Sequence, residues 1–109
     1  QTVKKFLPSA YGTLMSANDA QFLTHLMSQV VEIGTGSAMR GASYTVAGKT
    51  GSAEFETGKE THSWFVGFAP AEKPKVAICV LAEESGSGGA VAAPIARQVL
   101  DRYFAKYGQ

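Results

Sequence analysis

Residues 46–52 read VAGKTGS, and the Gly-Lys-Thr triplet within them is the first place where the sequence could do chemistry. One such chemistry is phosphate binding. A glycine, four residues and then Gly-Lys-Thr form a loop whose amides cradle phosphate and which runs into a helix N-terminus. The spacing does not fit. Counting back from Gly48, the leading glycine belongs at position 43, which is Ser43, and Gly41 lies two positions too early. The stretch after the lysine, GSAEFETG, is a poor helix start. An edge strand with an exposed lysine is the simpler alternative. Other reactive groups are sparse. His25 and His62 are far apart, and no His/Cys/carboxylate cluster has metal-ligand spacing. Cys79 is the single cysteine, so no internal disulfide forms, and its run VAICVLA marks it as an inert buried thiol.

The elements that must position this segment follow from periodicity. From Asn18 to Ile33 the apolar residues Phe22, Leu23, Leu26, Met27, Val30, Val31 and Ile33 fall on one helical stripe. Ser16 or Asn18 can cap its start and Gly34 can end it. GTGSAMRGAS reads as loop or a short helical turn. Residues 44–55, YTVAGKTGSAEF, read as a strand whose glycines mark close approach of another backbone or a ligand. ETGKETH is a hairpin loop, SWFVGFAP a strand ended by Pro70, and AEKP a turn. KVAICVLAE is a third strand, apolar on both faces and therefore expected to be central or covered. ESGSGG reads as a flexible connector. Residues 91–107 form a helix with Pro94 in its first turn and Val91, Ile95, Val99, Leu100 and Tyr103 along one face. Short links make the three strands antiparallel neighbours. The expected fold is therefore α+β, an antiparallel sheet of about three strands flanked by an N-terminal-side helix and a C-terminal helix, with both helices covering one face.

Bulk properties narrow the classes of function. A chain of 109 residues suits one domain. Ten Lys and Arg against nine Asp and Glu leave a net charge of +1, which gives no argument for nucleic acid. No apolar run approaches a bilayer span, and QTVKKFLPS lacks the apolar middle of a signal peptide. The chain begins without Met, an expectation of processing or of excision from a longer protein.

Lys49-Thr50-Gly51 resembles the Lys-Thr-Gly element of penicillin-binding proteins and serine β-lactamases. The triplet alone is weak, and its surroundings supply specificity. VAGKTGSAEF, HSWFVGFAP, PKVAICVLAEE and GGAVAAPIARQVLDRYF follow, in order, the C-terminal pattern of the penicillin-binding transpeptidase domain, and the helix ending VVEIGTGSAM matches it too. The resemblance runs from about Leu14 onward and covers the C-terminal portion of that domain.

The resemblance implies a role for each residue of the segment. In the family an acyl-D-alanyl-D-alanine peptide lies antiparallel along this strand at the edge of the cleft. Lys49 would set a cation beside the nucleophile, favour the substrate carboxylate and help move protons. Thr50 would offer its hydroxyl to that carboxylate. Gly51 would let the ligand backbone approach. The Ser52 backbone N–H would be one of two oxyanion-hole donors. Threonine is the commoner family residue where Ser52 stands. Trp64, Phe65 and Phe68 also match but are core candidates first, His62 has no catalytic role, and Arg97 and Arg102 read as solvated helix residues.

The family nucleophile is a serine in Ser-x-x-Lys, and no serine here has lysine three residues on. Ser37-Ala38-Met39-Arg40 comes nearest, but arginine cannot serve as the base at neutral pH. Ser16-Ala17-Asn18 matches the letters of the second family element, yet it stands where a helix cap is expected. Residues 1–109 are accordingly expected to be a C-terminal segment of a transpeptidase domain, inactive and marginally stable alone, with the nucleophile upstream. The implied parent is a serine D,D-transpeptidase that cross-links peptidoglycan and is acylated by β-lactams. It would act outside the cytoplasmic membrane, anchored through an N-terminal segment, with no cofactor or metal. Its partners would be the stem peptide, β-lactams and the upstream half of the same domain. A D,D-carboxypeptidase, a β-lactamase, a penicillin-sensing receptor domain and a non-catalytic relative are the alternatives.

Overall fold

A computed structural model describes residues 4–108. Helix α1 spans Ala17–Ile33. A short 3₁₀ turn follows at Ser37–Met39. Strands β1 (Ala47–Ala53), β2 (His62–Ala69) and β3 (Val76–Ala82) come next. A π-helical turn at Gly88–Ala92 then leads into α2, Ala93–Tyr107. The strands form one antiparallel sheet in the order β1-β2-β3. β1 is therefore an edge strand, and its register sets Lys49 against Val66, Thr50 against Phe65, Gly51 against Trp64 and Ser52 against Ser63.

The helix α1 begins where its cap allows. The Ser16 hydroxyl accepts the Asp19 N–H at 3.1 Å, and Asp19 adds a negative charge at the positive end of the helix dipole. Ser16-Ala17-Asn18 is thus a helix start. At the other end Gly34 N–H closes onto Val30 O at 3.1 Å.

One sheet face carries the core. Phe65, Ala69, Ala92, Ala93, Ala96, Leu100 and Phe104 pack together, with Val31, Met39, Tyr44 and Val46 completing the cluster. The Phe65 ring lies over two glycines. A Cβ on Gly48 would stand 2.8 Å from its Cε1, and one on Gly67 would stand 2.9 Å from its Cε2. Both glycines serve this ring rather than a ligand. Ser63, fully buried, donates to Ser87 O at 2.7 Å and accepts the Ala92 N–H at 3.0 Å. That satisfies a hydroxyl that would otherwise be costly to bury.

Several expectations need correction. The strand expected over 44–55 is the shorter Ala47–Ala53, and Tyr44 and Val46 enter the core ahead of it. β3, expected to be central or covered, is the outer strand among the described residues, and its exposure alternates along the strand. Cys79, expected buried, is exposed on that strand. The α2 face is rotated from the predicted one: Ala93, Ala96, Leu100 and Phe104 are buried, whereas Ile95 and Val99 are 41% and 50% exposed. Alanines let the helix axis come close to the sheet, so they take the contact in place of larger neighbours. The helices share one face only at the end of α1, whose Val31 joins the core cluster. Met27 of α1 borders a hollow with Val66, Phe68, Ala77 and Cys79, whose alternation sets them opposite Phe65. Much of the α1 stripe is open, with Phe22, Leu23 and Leu26 all exposed.

Arg97 is a tether rather than a solvated residue. Its guanidinium donates to Ala38 O and Arg40 O at 3.2 and 3.0 Å and to both Asp101 oxygens at 3.0 and 3.1 Å. Asp101 also accepts the Tyr44 hydroxyl at 2.6 Å. That hydrogen bond, reinforced by Arg97 and opposed by burial, holds the Asp101 carboxyl below the usual carboxylate range. Burial and the adjacent carboxylate push the Tyr44 hydroxyl well above its ordinary value. A depressed folded-state pKa contributes stability in full above the unfolded carboxylate value of about 4, and that contribution is lost as pH falls through the lowered folded value. Asp101→Asn is expected to cost about 1 kcal/mol at neutral pH. The figure is small because the Asp101 side chain is 47% exposed and solvent screens the pair. Thermal unfolding from about pH 7 to about pH 3 should show the gap from wild type closing on the acid side.

Candidate functional site

The open margin of β1 carries Lys49, Thr50, Gly51 and Ser52 in extended conformation. An edge strand directs the N–H and C=O of every second residue away from its neighbour, so this margin offers main-chain groups to an incoming chain. An extended segment also excludes the phosphate loop, which requires the lysine at a helix N-terminus.

The four residues differ in what holds them. Lys49 is exposed, and its Nζ turns back to donate to the Thr50 carbonyl at 2.6 Å. Thr50 is 8% exposed, and its hydroxyl pairs directly with the hydroxyl of Thr35 from the turn after α1. The Ser52 hydroxyl accepts the Gly88 N–H at 3.1 Å. Gly51 has a different status from Gly48. A Cβ there would meet only Trp64 Cβ, at the ordinary contact distance of 3.4 Å. Nothing inside the described fold requires glycine at position 51.

Behind the strand lies a brace that the sequence did not disclose. Gly88 sits over the β1–β2 backbone, where an added Cβ would come within 2.5 Å of Gly51 O and 2.7 Å of Gly51 N. No side chain fits there. The loop leading to it, expected to be a flexible connector, is bonded in place. Ser85 and Gly86 donate to Thr61 O at 3.0 and 3.1 Å, and the Thr61 hydroxyl donates to Gly86 O at 2.7 Å. His62 Nδ1 accepts the Glu84 N–H at 3.1 Å while its ring stacks on Phe55 at 4.0 Å, a structural role. Thr35 and Gly88 are thus site-supporting residues that sequence reasoning missed. The one available signal was the glycine pair Gly88-Gly89, which can mark close backbone contact.

The segment lines a margin and not a closed pocket. A hollow of about 610 Å³ between α1 and the β2–β3 turn includes none of the four residues. The site's resources are a cation, two hydroxyls and outward main-chain amides. Together these suit an anion and a polarised carbonyl. Ser37-Ala38-Met39-Arg40 forms the 3₁₀ turn, and the Arg40 side chain donates to Glu32 O at 3.2 Å, so it brings no base to a serine.

Comparison with known proteins gives the same direction. Residues 8–101 match the family model described as the penicillin binding protein transpeptidase domain. The chain is 36% identical to the peptidoglycan D,D-transpeptidase PbpA of Mycolicibacterium smegmatis over 91% of its own length and 22% of that protein. It is 39% identical to the peptidoglycan D,D-transpeptidase MrdA of Haemophilus influenzae over 64% of its length and 13% of that protein. Among solved structures, penicillin-binding protein A from M. tuberculosis, an imipenem acyl-enzyme complex, superposes with a TM-score of 0.70 at 38% identity, covering 83% of this chain and 20% of that one. The chain therefore spans about a fifth or less of the length of these relatives. With its fold and its ordered motifs, the chain belongs to the penicillin-binding protein transpeptidase domain family.

Proposed function

We propose that this chain is the C-terminal wall of the catalytic domain of a serine D,D-transpeptidase that cross-links peptidoglycan stem peptides and is acylated by β-lactams. The observation behind this reading is that Lys49–Ser52 lies extended on the open edge of the sheet. In the proposed reaction an upstream serine oxygen bonds to the carbonyl carbon of the penultimate D-alanine. The carbon–nitrogen bond to the terminal D-alanine breaks, and the serine proton leaves with the departing amine. An amine of a second stem peptide then takes the acyl group and frees the serine. Lys49 and the Thr50 hydroxyl hold the terminal carboxylate. Gly51 leaves room for the peptide backbone. The Ser52 N–H donates to the developing oxyanion.

The upstream half of the domain is the necessary partner, since these residues hold no Ser-x-x-Lys. The reaction class sets the location outside the cytoplasmic membrane, and no helix among the described residues is long and apolar enough to cross one. Intact-mass measurement after incubation with a β-lactam tests the division of labour. The 109-residue chain is expected to keep its mass. The parent is expected to gain one β-lactam mass on a serine outside these residues. An adduct on the isolated chain would overturn the proposal.

A further inference from the structure

We infer that Thr35 is a positioning residue whose hydroxyl fixes the direction of the Thr50 proton and so sets the carboxylate specificity of the β1 margin. The inference rests on the proposed role of Thr50. It starts from a constraint of count. A threonine hydroxyl has one proton to donate and two lone pairs to accept with. The Thr35 and Thr50 hydroxyls are bonded directly to each other. If Thr50 donated to Thr35, no proton would remain for an anion. If Thr35 donates, the Thr50 proton is free to point along the open margin, and the accepted bond makes it a stronger donor. A carboxylate at the margin selects this second arrangement, because it accepts only.

Thr35 is held well enough for the task. It stands between Gly34 and Gly36, whose amides both donate to Val30 O, at 3.1 and 2.9 Å. From the other side Gly89 lies against it, where an added Cβ would come within 2.6 Å of Thr35 O. The turn after α1 and the turn before α2 therefore clamp one residue whose side chain is committed to Thr50. Thr35 itself remains exposed, while Thr50 is only 8% exposed. The pair thus lies at the boundary between solvent and sheet, with Thr50 on the drier side, where a donor's interaction with an anion is less screened than in water.

The test compares acylation of the parent protein by a β-lactam bearing its free carboxylate with acylation by the methyl ester of the same compound. Thr35→Val keeps shape and removes the hydroxyl. It should lower the second-order rate constant for the carboxylate compound by roughly three- to tenfold and leave the ester unchanged. Thr35→Ser should restore the wild-type ratio. A loss shared equally by both compounds, or no loss, overturns the inference, since general loosening does not read the charge of the ligand. Should the valine variant fail to fold, Thr35→Ala is read by the same ratio. Thr50→Val separates this inference from the reading beneath it. If Thr50→Val shows the carboxylate-selective loss and the Thr35 variants do not, only the role of Thr35 falls. If Thr50→Val shows none, the assignment of Thr50 falls with it.

Discussion

Replacing Lys49 with alanine in the parent protein is expected to slow β-lactam acylation by roughly two to four orders of magnitude, the usual worth of a positioned proton-transfer group. Thermal stability should change by no more than about 0.5 kcal/mol, as for other exposed positions. The contrast follows from the structure. The Lys49 side chain is exposed, and its hydrogen bond is to the neighbouring Thr50 carbonyl, a neutral acceptor. Water can replace that bond at little cost. A substrate carboxylate would draw the ammonium away from it, because a full negative charge attracts the ammonium more strongly than a neutral carbonyl does. Lys49→Arg divides the role further. It keeps the charge but cannot give up a proton near neutral pH, so a partial recovery would measure the electrostatic share. The measurement is the acylation rate with a chromogenic β-lactam beside a melting curve. Normal acylation with a large loss of stability would identify Lys49 as a plain edge-strand lysine.

Ser52 offers the second large effect. Proline there removes the main-chain N–H, and alanine removes only the hydroxyl. If the Ser52 amide faces the open edge, proline breaks no bond to β2 and is tolerated, as proline is on edge strands generally. Ser52→Pro is then expected to cost roughly two to three orders of magnitude in acylation, the usual consequence of losing one oxyanion donor. Ser52→Ala loses the acceptor for Gly88 N–H, worth about 1 kcal/mol of stability, and keeps the amide and most of the rate. Both variants should melt within a few degrees of each other. A proline variant that unfolds where the alanine variant does not would mean that the amide belongs to the β1–β2 ladder, and the oxyanion assignment would fail.

Local patterns in the sequence carried far enough to find the elements and not far enough to find the contacts between them. Helix α1 was legible because its stripe repeats over four turns and Ser16 caps it. The strands were legible because Gly58, Pro70 and Pro74 punctuate apolar runs. The covering of β3 was misjudged. A run that is apolar on both faces reports the surroundings that selected it, and the described residues supply a cover for one face only. The α2 face was misjudged because bulky side chains dominate a periodicity while alanines make the close contact. Lys49–Ser52 was legible as a motif. Its supports were not, since Thr35 lies 15 residues before Thr50 and Gly88 lies 36 residues after Ser52. No local pattern joins residues so far apart.

The ring of Phe65 over Gly48 and Gly67 also guards the sheet against slippage. Alternation repeats every two residues, so hydrophobicity alone would tolerate β1 sliding past β2 by that interval. The present pairing sets Gly48 against Gly67. A shift of two in one direction would bring Thr50 beneath the ring, and a shift in the other would bring Val46. Either side chain would meet the aromatic carbons where only a hydrogen now fits. Lys49 is therefore kept at its station by a steric check one residue away, made of carbon and the absence of carbon.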